Sequence, residues 1–423
     1  MAKAAGSKSN SNQILFAMGL AIVIGLLINY FGHKYNFIPQ YRMIEKYSIG
    51  PIGDAFLKLL LMGVLPIVFL AIVGGIVELG QDKGKLKRVS IKAGLYFFFT
   101  TFAALIIGLC VSFVINPGKV GNLGEGLDLS KGVASMNIMD VFLNMFPKNP
   151  FASFAEANML QIIFFAIFMG VAIVMVGGEK MKKVNEILHY IMQIMIEIIK
   201  IVMKVAPIGV FCLLLKVTAT QGFSTIIGLL LYVIAIVVGL LLQFIIVYCP
   251  VLYVTTGLKP IKFIKKFKDI AIVAFATSSS KATLPFAMEV CEEKFGVEED
   301  FCRFILPLGA SINMNGSAIM QSVAIVFISQ IYHVNLTVPM LCAILFTAVF
   351  TSAGAAGIPS GATITLTTIL LMVGIPAEGV ALILGVDRIV DMCRTVVNVS
   401  GDVVCTISIA GSEKAIDRTV LLS

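Results

Sequence analysis

The chain has 423 residues, of which 58% are hydrophobic and only 13% are charged, and its mean hydropathy is +0.98. Soluble globular proteins carry about 25% charged residues, so this chain has too few charges to cover a surface that faces water. The net charge is +8, but the basic residues lie in short segments between apolar runs, which is typical of membrane-protein loops and argues against nucleic-acid binding. The composition therefore predicts an all-α polytopic membrane protein.

The eight cysteines and three histidines give no sign of a disulfide framework or a metal centre. No two cysteines have the C-x-x-C spacing and most lie in apolar stretches, so we interpret them as small buried hydrophobic residues. The histidines are scattered along the chain, whereas metal ligands are clustered. We also find no nucleophile–base pair and no phosphate-binding glycine loop, so an enzyme is not expected.

The first half of the chain contains apolar runs that are long enough to cross a bilayer whose hydrocarbon core is about 30 Å thick. They cover residues 14–32, 55–78, 93–115, 159–176, 187–216 and 222–257. The first run has no small-residue cleavage site, which predicts an uncleaved span. Basic residues are concentrated at the N-terminus and in the loops 82–92, 179–183 and 259–268. By the positive-inside rule these segments are expected on the cytoplasmic side. We expect the C-terminus on the same side.

The second half is different, because polar clusters interrupt its apolar stretches at two similar places. Residues 277–285 read TSSSKATLP and residues 351–359 read TSAGAAGIP; the polar segments NMNGS at 313–317 and DMCRTVVNVSGD at 391–402 follow them. This pattern predicts a duplicated unit made of a re-entrant hairpin and a broken helix. Non-helical backbone at membrane depth needs protein or a water-filled cavity around it, and paired interruptions indicate a transporter's binding site. The alternative is that both are polar loops between ordinary spans.

One face of the last predicted helix holds a stripe of polar residues that are spaced four, three, four and four positions apart. They are Asp387, Asp391, Arg394, Asn398 and Asp402. Ionisable residues within a span are costly and usually face a cavity or one another. Three carboxylates against one guanidinium leave negative charge to spare, which favours bound cations. The alternative is a structural Asp–Arg pair that only holds the helices together.

The chemistry of these side chains indicates roles for them. The planar guanidinium of Arg394 is suited to a carboxylate, and Asp391 is suited to an amino group. Other polar groups offer hard oxygens to Na⁺ or hydroxyls to a substrate: Asn398, Asp402, the carbonyls of 313–317, Thr395 and Ser317.

The motifs TSSSKATLP, NMNGS, AGAAGIPSGA and DxxxDxxRTxxNxxGD resemble those of the glutamate transporter family, the dicarboxylate/amino acid:cation symporters, in its prokaryotic members. The resemblance covers essentially the whole chain. It implies eight transmembrane helices and two re-entrant hairpins arranged as inverted repeats, in a homotrimer embedded in the lipid of the inner (plasma) membrane. It also implies an elevator mechanism, in which a transport domain slides against a scaffold and the second hairpin acts as the gate.

The same resemblance divides the chain into four segments. Residues 1–92 would hold scaffold helices one and two, and 93–117 would form helix three of the transport domain. Residues 118–218 would hold scaffold helices four and five. Residues 219–423 would complete the transport domain with helix six, hairpin one, helix seven, hairpin two and helix eight.

The resemblance also implies how the substrate is held. Its α-carboxylate would meet the first hairpin tip, its amino group Asp391 and its side-chain carboxylate Arg394, while the second tip closes over it. The implied substrate-binding residues are Ser278, Ser279, Ser280, Ser317, Gly357, Ile358, Asp391, Arg394, Thr395 and Asn398. The implied sodium sites are one formed by Gly309, Asn313, Asn398 and Asp402 and one formed by carbonyls of Ser311, Met314, Ser352, Ala353 and Ala355.

Several positions depart from the family pattern. Asn315 stands where the family has an aspartate that helps to hold a third sodium with hydroxyls such as those of Thr100 and Thr101, and Phe97 replaces a tyrosine of archaeal members. An amide removes a full charge from a buried cation site, which predicts a weakened or absent third site. Gln321 replaces the glutamate that carries a proton in animal members.

A substrate-adjacent arginine of the family is also missing, because its two usual positions hold Ser278 and Met392. Lys281 and Arg388 lie near those positions in the sequence. Compensation for the missing arginine by Lys281 or Arg388 stays open. For Lys281 we favour the interpretation of a solvated charge that faces the cytoplasm.

The expected function is Na⁺-coupled uptake of aspartate or glutamate, without an organic cofactor and with fewer sodium sites than archaeal relatives have. Arg394 favours an acidic substrate, and Asp391 argues against dicarboxylates that have no amino group. Three alternatives stay open: a Na⁺-coupled symporter for a neutral or polar amino acid such as serine, a proton-coupled carrier of acidic amino acids, and a channel or anion-conducting pore.

Overall fold

The computed structural model describes residues 2–422 except 36, 81–84, 120–142, 144, 157, 222, 354–360, 377, 378 and 385. In this part of the chain nearly every residue is helical, and the one bridge between extended residues joins Val297 to Ile416. The predicted all-α class is therefore confirmed. The apolar composition explains it, because a helix satisfies all of its own backbone hydrogen bonds without water.

Among the described residues, eight α-helices lie in the first half of the chain. They are α1 (Ala2–Lys34), α2 (Ile38–Ile44), α3 (Gly50–Gly80), α4 (Lys85–Ile115), α5 (Pro150–Ala155), α6 (Met159–Val176), α7 (Gly178–Met203) and α8 (Ala206–Gln221). Helix α1 packs along α8, and α3 packs against α6, α7 and α8. The run 187–216, which was predicted as one span, is divided between α7 and α8, because Pro207 has no N–H to continue the hydrogen-bond ladder of α7.

Eleven helices are described in the second half. They are α9 (Phe223–Leu242), α10 (Cys249–Thr256), α11 (Pro260–Thr277), α12 (Ser280–Glu293), α13 (Glu299–Ile312), α14 (Asn315–Ile331), α15 (Val338–Ala353), α16 (Gly361–Met372), α17 (Val380–Leu384), α18 (Asp387–Ser412) and α19 (Arg418–Leu422). A π-helical turn, Gln243–Tyr248, joins α9 to α10. Helix α18 is buried along most of its length, since α10, α11, α12, α13 and α14 all pack against it.

The segment TSSSKATLP forms a tight turn between α11 and α12, which pack against each other. Ser278 adopts the left-handed conformation with φ of 50°, and its N–H donates to the Ala274 carbonyl at 2.9 Å. The Ser279 hydroxyl then accepts from the Ala282 N–H at 3.3 Å and caps α12. Serine side chains suit such a turn because they replace the backbone partners that the helix ends lack.

The two polar segments behave differently. The segment NMNGS interrupts its helix as predicted, because Asn313 and Met314 leave the helical conformation between α13 and α14. The prediction of a second broken helix at 391–402 is wrong, because α18 runs unbroken from Asp387 to Ser412. Its polar side chains reach neighbouring helices, and Thr395 and Thr406 bond to carbonyls one turn back, so none of them displaces the helical backbone.

Four helical stretches in the described part of the chain are long and apolar enough to cross a membrane: Arg88–Lys119, Ile226–Thr256, Glu299–Ile331 and Asp387–Ser412. Shorter apolar helices lie at Gly19–Gly32, Leu65–Val77, Gln161–Val176, Ala206–Lys216 and Val338–Phe350. Large apolar side chains are exposed on these helices, as at Phe99, Leu230 and Ile245. The fold is thus that of a multi-pass membrane protein.

Candidate functional site

The polar stripe of α18 is buried inside the helix bundle. Asp387, Asp391, Arg394, Asn398 and Asp402 are each only 2% or 3% exposed. A helix that places charged side chains inward at this depth needs partners for them, because an unpaired buried charge is very costly. The partners come from α14, α16, the break between α13 and α14, and α18 itself.

Arg394 and Asp391 form a buried ion pair. The Nε and Nη2 atoms of Arg394 both lie 2.8 Å from Oδ1 of Asp391. The Nη1 atom of Arg394 has no hydrogen-bond partner among the described residues, although it is buried. Asp391 therefore offsets the positive charge of Arg394, the predicted partner of the substrate's side-chain carboxylate. The Nη1 atom of Arg394 retains hydrogen-bonding capacity that no described residue uses. The hydroxyl of Thr395 donates to the Asp391 carbonyl at 2.7 Å.

Asp387, one turn before Asp391 on α18, accepts a hydrogen bond from α16. The hydroxyl of Thr363 donates to Oδ1 of Asp387. Two residues further along α16, Thr365 accepts a hydrogen bond from Nε2 of Gln321 at 2.7 Å. Gln321 thus links α14 to α16, and its Oε1 atom has no partner in the described part of the chain.

The break between α13 and α14 meets the C-terminal part of the stripe. Nδ2 of Asn313 donates to Oδ1 of Asp402 at 2.8 Å and to the Asn398 carbonyl at 3.3 Å. Oδ1 of Asn398 accepts from the Gly316 N–H at 2.7 Å. Oδ1 of Asn313 is buried and has no described partner. The break is therefore held to α18 through amides and a carboxylate, and it leaves hard oxygens available.

Glycines allow these elements to approach closely. A Cβ atom added at Gly309 would lie 2.5 Å from Oδ1 of Asp402, and one at Gly316 would lie 2.5 Å from the Arg394 carbonyl. Both positions therefore need glycine for steric reasons. The structure brings together four residues of the first predicted sodium site, which are Gly309, Asn313, Asn398 and Asp402.

Asn315 lies in a neutral polar network at the start of α14. Its Oδ1 accepts from the Thr101 hydroxyl at 2.7 Å, and its Nδ2 donates to the Tyr248 hydroxyl at 2.8 Å. Tyr248 in turn donates to the Val397 carbonyl at 3.3 Å. Thr100 does not join through its hydroxyl, which bonds back to the Tyr96 carbonyl at 2.8 Å.

Sequence reasoning missed Tyr248 and Gln243 as members of this region. Gln243 is fully buried, and its Nε2 donates to the Thr100 carbonyl at 3.1 Å. Both residues lie in the π-helical turn, whose i→i+5 hydrogen bonds place their side chains on a different face of the helix than a regular α-helix would. Pro250, two residues after this turn, was the available signal, because its missing N–H frees the carbonyl one turn earlier.

The remaining predicted residues are distributed around this centre. At the first tip Ser278 and Ser280 are buried, and the Ser278 hydroxyl has no partner among the described residues. Ser317 is buried at the start of α14, next to Gly316, and Met314 is buried at the break. Lys281 is exposed on α12.

Other predicted positions are less fully defined. Ser311 is half-buried near the end of α13, and Arg388 and Met392 are half-buried on α18. Ser352 and Ala353 close α15, while Ala355, Gly357 and Ile358 of the second tip lie outside the described residues.

The chain is similar in sequence to known proteins over nearly its whole length. Residues 11–412 match the sodium:dicarboxylate symporter family. The chain is 34% identical over 421 residues to the proton/glutamate-aspartate symporter of Escherichia coli (strain K12), covering 97% of this chain and 94% of that protein. It is 32% identical over 405 residues to the proton/sodium-glutamate symport protein of Bacillus subtilis (strain 168), covering 94% and 91%.

A third relative is named after a different class of substrate. The C4-dicarboxylate transport protein of Rhodospirillum rubrum is 34% identical over 425 residues, covering 96% of this chain and 90% of that protein. The family and these relatives are transporters and not enzymes, as the sequence predicted. A match over nearly the whole length leads to one conclusion: this chain belongs to the sodium:dicarboxylate symporter family.

Proposed function

We propose that this protein is a secondary active symporter that couples the inward movement of Na⁺ to the uptake of aspartate or glutamate. The observation that supports this most strongly concerns Nη1 of Arg394, which has no hydrogen-bond partner among the described residues and lies on the same buried helix as the oxygens of Asp402. The polar stripe of α18 thus carries a cationic donor for a carboxylate and, about two turns further on, an anionic group for a cation. The Arg394–Asp391 pair would open so that Asp391 takes the amino group and Arg394 the side-chain carboxylate.

Two sodium sites are part of this proposal. The first comprises the backbone of Gly309 and Asn398 with the side chains of Asn313 and Asp402. The second uses carbonyls of Ser311 and Met314 with those of Ser352, Ala353 and Ala355. We propose no third site, because the amide of Asn315 already bonds to Thr101 and Tyr248 and contributes no charge.

The large-scale arrangement is proposed from the family. Eight transmembrane helices and two re-entrant hairpins would form a homotrimer with both termini in the cytoplasm of the inner membrane. Residues 1–92 and 118–218 would form the scaffold, and 93–117 and 219–423 would form a transport domain that moves as an elevator. The contacts of α1 with α8, of α3 with α6, α7 and α8, and of α18 with α10 to α14 support this division.

Proton coupling is the second candidate, because the Escherichia coli relative is named a proton/glutamate-aspartate symporter. In this chain Gln321 is an amide that does not gain or lose charge at physiological pH, so it offers no titratable proton carrier at that position. We therefore favour sodium.

Uptake into proteoliposomes tests the substrate and the ion together. Labelled aspartate, glutamate, succinate and serine are each offered with an inward Na⁺ gradient, an inward proton gradient or neither. The proposal predicts saturable, Na⁺-driven uptake of aspartate or glutamate. Uptake of serine alone or succinate alone would contradict the role given to Arg394 or Asp391, and uptake driven only by protons would contradict sodium coupling. Non-saturable flux without a gradient would indicate a channel.

A further inference from the structure

A surface that is both basic and apolar lies where α10 ends and α11 begins. Lys259, Lys265 and Lys268 are exposed there. The side chains of Ile261 and Ile264, which lie between them in the sequence, are 70% and 50% exposed. We name these five residues the corner surface.

The opposite face of α11 is fixed to the protein. Phe263, Phe267 and Ile270 are buried and follow a helical spacing of four and three residues. Through this face α11 packs along α18 and α12. The helix therefore cannot rotate to bury Ile261 and Ile264, and their exposure is built into the fold.

The positive charge of the corner surface is not balanced by a carboxylate of α11. Its one acidic residue, Asp269, is paired with Lys294 at 2.7 Å. Lys266 points inward, where its Nζ donates to the carbonyls of Val420 at 2.7 Å and Leu421 at 3.1 Å. The ammonium groups of the corner surface thus keep an unbalanced positive charge next to exposed apolar side chains.

We propose that the corner surface binds the headgroup and upper acyl carbons of an anionic phospholipid in the surrounding bilayer. Lysines near a membrane attract anionic lipids, and their stems can lie along apolar surface while the ammonium groups reach the phosphates. A helix that combines lysines with exposed isoleucines is typical of binding at the membrane interface. Tyr253 and Val254, close to the end of the preceding helix α10, are also exposed, by 58% and 82%.

The exposed isoleucines favour a lipid over a free anion. Inorganic phosphate or a soluble headgroup would gain from the lysines but nothing from Ile261 and Ile264. A phospholipid gains from both, because its acyl carbons leave water when they contact the isoleucines. Binding of this kind does not depend on which solute the protein transports.

Native mass spectrometry of the purified full-length protein tests the proposal, with phosphatidylglycerol and phosphatidylcholine offered in equal amounts. The wild type is expected to prefer phosphatidylglycerol. The triple variant Lys259→Gln, Lys265→Gln and Lys268→Gln should reduce that preference about fivefold or more. Lys262 and Lys266 are left intact, because both bond to carbonyls of the C-terminal helix α19.

A matched control removes the same charge elsewhere. Lys180, Lys182 and Lys183 are exposed at the start of α7, and their triple glutamine variant should keep the wild-type preference. Replacing Ile261 and Ile264 with serine should also weaken phosphatidylglycerol binding. An unchanged preference in the first triple variant, or equal losses in both triple variants, would overturn the proposal. Displacement of the lipid by an equal concentration of glycerol phosphate would overturn it too, since it would indicate a small-anion site.

The assay also separates this inference from the proposed function. It measures binding without transport, so a wrong ion or substrate assignment would leave its result unchanged. Loss of lipid preference would in turn say nothing against sodium-coupled uptake.

Discussion

At the scale of single residues, the site depends on a few buried groups whose hydrogen bonds are only partly satisfied. Arg394 uses two of its nitrogens on Asp391 and keeps Nη1 unpaired within the described structure. Asn313 bonds to Asp402 through its amide nitrogen, and its oxygen has no described partner. Native proteins rarely leave such atoms unsatisfied without a reason. Binding of a carboxylate and of a cation would satisfy both.

Replacing Arg394 with lysine should raise the apparent KM for aspartate about 10- to 100-fold, because a charged hydrogen bond contributes about 1.5–3 kcal/mol and lysine has no planar fork. Uptake assays over a range of aspartate concentrations measure this effect. Arg303→Lys is the control, since Arg303 is exposed on α13 and pairs with the neighbouring, exposed Glu299. Equal KM values for wild type and Arg394→Lys would contradict the assigned role.

Replacing Gly309 with alanine should weaken Na⁺ activation of uptake by about tenfold or more, in the range seen when residues that support a metal site are changed. The new methyl group would lie 2.5 Å from Oδ1 of Asp402 and would displace the carboxylate. Gly74→Ala is the matched control, because nothing lies within 4 Å of the Cβ position at Gly74. An Na⁺ dependence that is the same in both variants would show that Asp402 is not in the cation site.

Replacing Asn315 with aspartate should make the dependence of uptake on Na⁺ concentration steeper. The variant adds a buried negative charge beside Thr101, and a bound cation would offset its cost. The Hill coefficient for Na⁺ measures the effect. Asn149→Asp serves as the control, because Asn149 only caps α5 and aspartate caps equally well. An unchanged Hill coefficient and flux-coupling ratio in the Asn315 variant would count against a lost third site.

At the scale of elements, the site is built where helices are interrupted or distorted. The break at Asn313 and Met314 turns backbone and amide groups towards α18. The π-helical turn Gln243–Tyr248 directs Tyr248 towards α18 and Gln243 towards α4, whereas a regular helix would direct these side chains elsewhere.

Replacing Tyr248 with phenylalanine should lower the stability of the protein by about 1–3 kcal/mol, because the amide of Asn315 would lose its buried acceptor. Thermal denaturation in detergent measures the change. Tyr253→Phe is the control, since Tyr253 is 58% exposed on the helix that follows. A Tyr248 variant as stable as the Tyr253 variant would show that the network contributes nothing.

Sequence periodicity could predict the elements that a pattern in their own residues marks. It could not predict features that depend on contacts with other helices. The break at NMNGS was predictable because polar residues interrupt an apolar run. The same reasoning failed for α18, whose polar residues are satisfied by other helices while its backbone remains regular. The partners of Asn315 were not predictable either, because Tyr248 lies 67 residues away and reaches it only through the π-helical turn.

At the scale of the whole molecule, residues near the C-terminus bond to helices that are distant from them in the sequence. Glu413 follows α18 and pairs with Lys92 at 2.7 Å and with Arg88, both on α4. Hydrogen bonds from Lys92 and Arg88 hold the pKa of the Glu413 carboxyl below its usual range. Helix α19 is held to α11 by Lys266.

The lowered pKa of Glu413 gives a prediction with a defined sign. A depressed carboxyl pKa adds stability above its unfolded value of about 4.3, and this contribution is lost as the pH falls through the lower folded value. Glu413→Gln should therefore lower thermal stability at pH 7 by about 1 kcal/mol or less, because Arg88 is largely exposed, and the difference from wild type should shrink in acid. Glu179→Gln, which breaks an exposed pair on α7, is the control. A difference that grows on acidification would contradict the assigned sign.

The measurement that tests the central claim most directly follows radioactive sodium and labelled aspartate in the same proteoliposomes. If the protein is a sodium-coupled symporter, aspartate will stimulate saturable sodium uptake, and Asp402→Asn will abolish that stimulation. Aspartate uptake that proceeds without any sodium movement would contradict sodium coupling and the cation role of Asp402.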